Sequence, residues 1–464
     1  MGGQSYDLRT EKVKKIKTPF REIVTAIPAP GSIPLLEKLR KYEPFSTSGQ
    51  PPILWDRADN FQVYDKYGNK WLDWTSGVLV ANAGHGRNEI RQAIIEAVER
   101  SLLFTYLPNE YEARLAERLV QLAPEGLTKV FPLVTGAEAV ENTLKVSRQY
   151  GQKVGGKKKT GIISFTGAFH GRTLGAQMVG GIPSLKTWIG NLDPGIYIVS
   201  FPNCYRCPCG RPDYDNCAEE CFSLIEKELR EKQVSPQEVA AVITETYQGG
   251  EALFAPKAYI VLLQDWCRKH DILLIFDEVQ AGFGRTGKWF GFEHYGVIPN
   301  LISCGKGITS SLPLSCVMGE SRVMDLFLPG EMTSTHAGNP VCCAAALANI
   351  DLLIKENLVE NAEKMGEVMQ TELQKIRDTF PQVGYVHGKG LVWGIHMVKP
   401  GTRQSDPELA FNVVLRAVQK GLLLTGTLGP NNGTVKMMPP LTITRDAIED
   451  GALALREAIA ESVR

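Results

Sequence analysis

No stretch of this chain stays apolar for the roughly 18 residues that a membrane-crossing helix needs, which excludes a helical membrane span. Neither sign of charge is in excess: 51 Lys and Arg stand against 51 Asp and Glu over 464 residues. With no long basic run either, a nucleic-acid or membrane-surface protein is not expected. Internal repeats and low-complexity tracts are missing. The composition, 43 % hydrophobic and 22 % charged, excludes disorder as the main state. Residues 1–17 are polar and basic without an apolar centre, so no signal peptide is expected there. The ten cysteines are too few for a disulfide scaffold in a chain of this length, and without a secretion signal reduced thiols and a cytoplasmic home are expected.

What is present is an alternation. Short apolar runs at 129–134, 161–165, 239–243, 272–276 and 301–304 are separated by amphipathic stretches at 88–102, 111–122, 137–149 and 258–269. Near-continuous apolar strands between helices predict an α/β fold with a mainly parallel sheet covered on both faces. Residues 1–60 are rich in proline and read as an arm, with one helix near 35–42; 61–325 read as a large domain. Two long helices, 340–355 and 361–379, followed by mixed strand and helix, read as a smaller α+β domain over 326–464 that the arm joins.

Two glycine patterns mislead. Gly282, Gly284 and Gly287 fit a dinucleotide fingerprint and follow a strand, but no helix opens at them, so no pyrophosphate site forms. Gly282, Gly287 and Lys288 nearly fit a phosphate-binding loop, yet Trp289 stands where Ser or Thr should hold magnesium. A structural glycine-rich turn is the reading that survives.

The run Ile272-Leu273-Leu274-Ile275-Phe276 ends in Asp277 and Glu278, which places carboxylates at the C-terminal edge of a sheet, where α/β proteins bind ligands. Alone, Asp277 reads as a cap of the following turn. A second strand, 301–304, ends in Gly305-Lys306-Gly307. A lysine between two glycines is sterically open and suits Schiff-base chemistry, although alone it reads as a surface charge.

In context these pieces form an ordered set. The run from Asp277 to Lys288, followed by Cys304-Gly305-Lys306-Gly307, resembles the signature of class III aminotransferases, pyridoxal-phosphate (PLP) enzymes of fold type I. The resemblance continues through Gly77-Val78, Thr135-Gly136-Ala137-Glu138, Ala168-Phe169-His170-Gly171-Arg172-Thr173, Glu245-x-x-Gln248-Gly249, Thr335-x-x-Gly338-Asn339-Pro340 and Pro440-Leu441-Thr442-Ile443, nearly the whole chain. The Ala-Phe-His-Gly-Arg-Thr run is similar to the 4-aminobutyrate transaminase branch. The fold implied is a large domain with a mainly parallel sheet of the seven-stranded type, plus a smaller α+β domain.

The resemblance implies a role for each residue. Lys306 would carry PLP as a Schiff base and move the substrate proton. Asp277 would keep the pyridine nitrogen protonated. Gly136 and Ala137 would meet the phosphate at a helix N-terminus. Phe169 would stack on the ring with His170 behind it, Val279 would cover the other face, Gln280 would bond the phenolic oxygen, and Glu245 would organise the donors around Gln280. Thr335 would reach the phosphate of the other subunit, which implies a homodimer and leaves open its pairing into a tetramer. The reaction implied moves an amino group from a 4-aminobutyrate-like ω-amino acid or primary amine to a 2-oxo acid such as pyruvate or 2-oxoglutarate. Amino-acid racemases and lyases share the same cofactor residues and are the alternative.

The substrate positions, Val78, Gly250, Glu251 and Lys436, depart from that branch. Its switch Glu falls here on Gly250, with Glu251 one step later, and its switch Arg falls on Lys436. Lysine cannot make the bidentate fork that arginine makes with a carboxylate. A one-residue register shift that keeps Glu251 in the role is the other reading. Ser310-Ser311-Leu312-Pro313 also departs from the glycine-rich form expected after the lysine. Five cysteines, Cys204, Cys207, Cys209, Cys217 and Cys221, crowd one insertion. They supply enough thiolates for zinc or an iron–sulfur cluster, but their spacing is not that of paired knuckles, and no metal is expected.

Overall fold

The computed structural model describes residues 5–101, 107–210, 217–429 and 431–463. It divides into two compact units: Asn88–Val359, and Met1–Arg87 together with Glu360–Arg464.

The unit from 88 to 359 is built on a seven-stranded sheet. In chain order the strands are β1 (Lys129–Leu133), β2 (Gly161–Phe165), β3 (Ile196–Val199), β4 (Val239–Glu245), β5 (Leu273–Asp277), β6 (Leu301–Cys304) and β7 (Ser315–Gly319). Their spatial order is β1-β7-β6-β5-β4-β2-β3. The run from β6 to β3 is parallel, and β7 lies antiparallel between β6 and β1. Strands β2, β4, β5, β6 and β7 are buried at every residue, which is why they read as unbroken apolar runs rather than alternating ones. The mainly parallel sheet is the one expected, with Ser315–Gly319 as its reversed member.

Helices α1 (Asn88–Glu99), α2 (Glu110–Leu122), α3 (Gly136–Gly155), α4 (Ala218–Glu231), α5 (Lys257–Lys269) and α6 (Pro340–Lys355) belong to the same unit. The helix α3 buries Ala139, Val140, Leu144, Val146 and Tyr150 in one core with Ile162, Ile243, Ile275 and Val317 of the strands. Its N-terminus is fixed by Thr135, whose hydroxyl accepts from Glu138 N at 3.2 Å, and by Ser315 Oγ, which donates to Thr135 O at 2.7 Å.

The other unit contains a sheet of short strands in which Lys70–Asp73 pairs antiparallel with Glu22–Ile23 and Gln62–Tyr64, and parallel with Leu422–Leu423. A second, antiparallel sheet orders Val383–Lys389, Val392–Met397 and Thr434–Met437. Ile23, Val63, Trp71, Val418 and Leu423 share a core. Arg21 grips Asp450 with two bonds of 2.6 and 2.9 Å. Ser76, Gly77, Val78 and Leu79 form one left-handed turn, with φ of 50, 58, 66 and 67°.

The division therefore lies at 87/88 and 359/360 rather than at 60 and 325. Residues 61–87 stay with the arm because their strands pair with Glu22–Ile23 and Leu422–Leu423. The helix α6 stays with the large sheet because its Ala- and Leu-rich face packs on α1 and α2.

Candidate active site

Register assembles the site. Asp277, the last residue of β5, lies opposite Glu245 of β4 on one side and Ser303 of β6 on the other, so three parallel strands end level. At that edge α3 opens with Gly136, the loop after β2 carries Phe169 to Arg172, and the turn after β6 carries Lys306. Lys306 is half-buried and holds φ at 45°, a strained value for a residue with a Cβ.

The polar groups interlock. His170 Nδ1 and Asp277 Oδ2 share a 2.8 Å hydrogen bond, while Val279 N donates to Asp277 Oδ1 at 3.1 Å. Glu245 accepts from Phe169 N at 3.0 Å and from Gly249 N at 2.8 Å. Burial pushes the Glu245 carboxyl up to about 7, opposed by His170 and by the two backbone donors. Burial acts to lower His170, but the bond and charge of Asp277, with the charge of Glu245, outweigh it and leave the imidazole above its ordinary value. The Lys306 amine is held below its ordinary value by desolvation, against the pull of Asp277 and Glu245.

These side chains line a cavity of about 260 Å³. Gly136, Ala137, Phe169, His170, Glu245, Asp277, Val279, Gln280 and Lys306 all face it, so nine of the ten residues expected at the cofactor come together. The tenth, Thr335, is exposed and does not line it. A Cβ on Gly136 would stand 2.6 Å from Val279 Cγ1, so only glycine lets the helix N-terminus and that wall approach this closely. The first-turn N–H groups of a helix lack intrahelical partners and suit a phosphate. An amine of lowered proton affinity, a carboxylate backed by an imidazole, an aromatic face and such a helix start fit a phosphorylated pyridine aldehyde.

The sequence pattern Aminotransferase class-III matches residues 45–459. The chain belongs to the class-III aminotransferases. Among its relatives is the probable 4-aminobutyrate aminotransferase of Bacillus subtilis, 33 % identical over 411 residues, which cover 87 % of this chain and 91 % of that protein. The leucine/methionine racemase of Thermococcus litoralis is 33 % identical over 88 % of this chain and 91 % of its own length. Among solved structures, a PLP-bound amine transaminase from an uncultivated Pseudomonas species superposes with a TM-score of 0.83 at 31 % identity, over 88 % of this chain and 94 % of that one. Class-III aminotransferases are PLP-dependent transaminases of fold type I, and so is this chain.

Arg172 and Tyr247 line the cavity of this aminotransferase without having been singled out in the sequence. Arg172 lies inside the Phe169–Thr173 motif, exposed, its guanidinium carbon 5.5 Å from the Phe169 ring centre. Tyr247 is buried, and its hydroxyl donates to Gln280 O at 3.1 Å; nothing in the local sequence marks it. Gly250 and Glu251 are buried beyond Gly249 and are not cavity walls. Val78, 47 % exposed, and Lys436, buried on Thr434–Met437, belong to the other unit. All ten cysteines are free thiols. Cys209 shares side-chain hydrogen bonds with Cys207 and Cys221. Among the described residues no group of three or more His, Cys, Asp or Glu side chains is disposed to hold a metal ion, and 211–216 lie outside the described residues.

Proposed function

We propose that this aminotransferase moves the amino group of an ω-amino acid or primary amine of the 4-aminobutyrate kind to a 2-oxo acid such as pyruvate or 2-oxoglutarate. The observation that carries the reading is the convergence of Lys306, Asp277, His170 and the α3 N-terminus on one cavity. Bound PLP supplies an aldehyde for the amine and a conjugated ring that takes up electrons from the carbon beside it.

The chain does the rest. Gly136 N and Ala137 N at the start of α3 hold the phosphate, with the helix dipole behind them. Phe169 and Val279, both on the cavity wall, would hold the ring. The Asp277 carboxylate, oriented by His170, holds a proton on the pyridine nitrogen, and Gln280 donates to the phenolic oxygen. Lys306 Nζ takes the proton from the substrate carbon that bears the amine; its lowered proton affinity makes the neutral base available at a lower pH than an exposed lysine allows. Arg172, on the cavity wall, is the guanidinium for an anionic group at the far end of the substrate.

The functional form is a homodimer in which Thr335, exposed and away from its own chain's cavity, serves the partner's phosphate. A cytoplasmic location is supported by ten free thiols. Racemisation of an α-amino acid is the second reading, favoured by the similarity to the Thermococcus litoralis racemase. The deciding experiment mixes holoenzyme, without any acceptor, with 4-aminobutyrate, β-alanine, taurine, simple amines and single enantiomers of α-amino acids. Release of about one carbonyl product per site supports transamination. Loss of optical rotation without carbonyl product overturns it in favour of the racemase.

A further inference from the structure

The cysteine-rich insertion delivers one residue to the neighbourhood of the cavity. Arg206 lies between Cys204 and Cys207, and its guanidinium pairs with Glu251 Oε1 at 3.3 Å. Their side chains are 24 % and 7 % exposed, which is deeper than an ordinary surface pair. Arg206 is held in place: its backbone N donates to Asn203 Oδ1 at 2.9 Å, and its guanidinium carbon stands 5.2 Å from the Tyr205 ring centre. The Cys209 thiol bonds the thiols of Cys207 and Cys221.

Glu251 sits in the tight turn that joins Tyr247–Gln248 to its antiparallel partner Leu253–Phe254. Glu251 N and Ala252 N both donate to Gln248 O, at 3.1 and 2.8 Å, and Ala252 takes a φ of 58°. That turn also presents Gly249 N to Glu245 Oε1 at 2.8 Å. Its room is tight, because a Cβ on Gly249 would lie 2.2 Å from Gln280 Nε2. Movement of the turn therefore reaches two cavity walls, Glu245 and Gln280, directly.

We propose that Arg206 is a positioning residue for the active site: its pair with Glu251 holds the 248–252 turn in the shape that places Gly249 N–H on the Glu245 carboxylate. Asn203 and Tyr205, its neighbours in the chain, mount that arginine. This deepens the proposed function and rests on Glu245 belonging to the cofactor site. The groups that face Glu245 are His170, Asp277, Lys306 and Tyr247. Gly249 N–H favours the ionised form of Glu245, so loosening the turn raises the proton affinity of that carboxyl and weakens the negative field on His170 and Lys306.

The test compares Arg206→Gln, Glu251→Gln, their double variant and Arg206→Lys with the parent protein. The first readout is amide hydrogen exchange, with and without PLP. In either single variant the peptide covering 245–254 is expected to exchange about five- to tenfold faster, while β5 stays protected. The double variant is expected to be no worse than the poorer single, because both remove one interaction. Lysine keeps the charge but not the planar fork, and is expected to restore part of the protection. The second readout is the pH profile of kcat, whose carboxyl limb is expected to move up by roughly half a unit to one unit, with KM little changed. Unchanged exchange at 245–254 in both single variants overturns the proposal, whatever donor the enzyme uses. Faster exchange spread over β4, β5 and β6 together also overturns it, since that is loss of fold rather than of position. If no amine in the panel is a donor but the exchange pattern appears, the substrate reading fails and the positioning role stands.

Discussion

Glu278, next to Asp277, is completely buried, and replacing it with glutamine gives a sharp prediction about stability. Its carboxyl accepts from Gly291 N at 2.6 Å, from Phe292 N at 3.1 Å and from the Thr246 hydroxyl. Burial nevertheless pushes it from 4.5 up to about 7. A carboxyl with a raised folded value binds its proton more tightly in the native state than in the unfolded chain. Its contribution is therefore fully present below 4.5 and is lost as pH rises through 7. Over that window the native state carries one proton more than the unfolded one, and stability falls by about 1.4 kcal/mol per pH unit. Between pH 5 and pH 8 the loss from this one group sums to about 2.5 kcal/mol. Glu278→Gln removes the titration but keeps only one oxygen: Phe292 N donates to Oε1 and Gly291 N to Oε2, so the amide leaves one of them without its acceptor, a cost that is the same at every pH. The variant's unfolding temperature, followed from pH 5 to pH 8, should fall less than that of the parent protein. With an unfolding entropy near 1 kcal/mol per kelvin for a chain of this length, the difference is roughly 2–3 °C. The separation between the two curves should be constant below about 4.5 and change mostly between about 4.5 and 7. Parallel curves over the whole range would falsify the claim that Glu278 is held protonated by burial.

Three further outcomes are expected at the site. Lys306→Ala should keep the far-ultraviolet circular dichroism and still take up PLP without a covalent link, but lose turnover by several orders of magnitude; near-normal turnover refutes its role. Arg172→Ala should raise KM for 4-aminobutyrate about tenfold or more through loss of a charged contact, and leave KM for an amine without a carboxylate unchanged. Gly136→Ala places a Cβ 2.6 Å from Val279 Cγ1. Fluorescence titration of the apoprotein should then show PLP affinity weakened about tenfold, the result of crowding the wall rather than of lost charge.

The cofactor side of the site was legible because it follows strand ends. A fully buried strand announces itself as an apolar run, and the residue that breaks the run, Asp277 or Lys306, lies at the sheet edge. Register then aligned what sequence spacing could not, bringing Glu245 opposite Asp277. Glu251 was named from the sequence but Arg206 was not: they are 45 positions apart, and no periodicity links a loop among the cysteines to a turn after β4. The domain borders were misjudged for a related reason. The Ala-rich α6 announces burial but not which surface buries it, and the strand at Lys70–Asp73 finds its partner about 350 residues downstream. The left-handed φ of Lys306 left no trace either, because the glycines around it suggest freedom at their own positions.

The pairing of Lys70–Asp73 with Leu422–Leu423 also orders events during synthesis. Residues 88–359 form a unit inserted between the two halves of the other, so they can fold as soon as they emerge. Within that unit β1 must wait for β7, about 190 residues later, before the far side of the sheet closes. The first 87 residues wait longer still. Until the ribosome has made the last strand and helices, Trp71 and Val63 lack Val418 and Leu423 as core partners. A nascent chain stalled before residue 418 therefore carries a finished sheet unit behind an N-terminal segment whose short strands pair only with one another and leave Trp71 and Val63 part-covered, and that segment is where chaperones and proteases find it first.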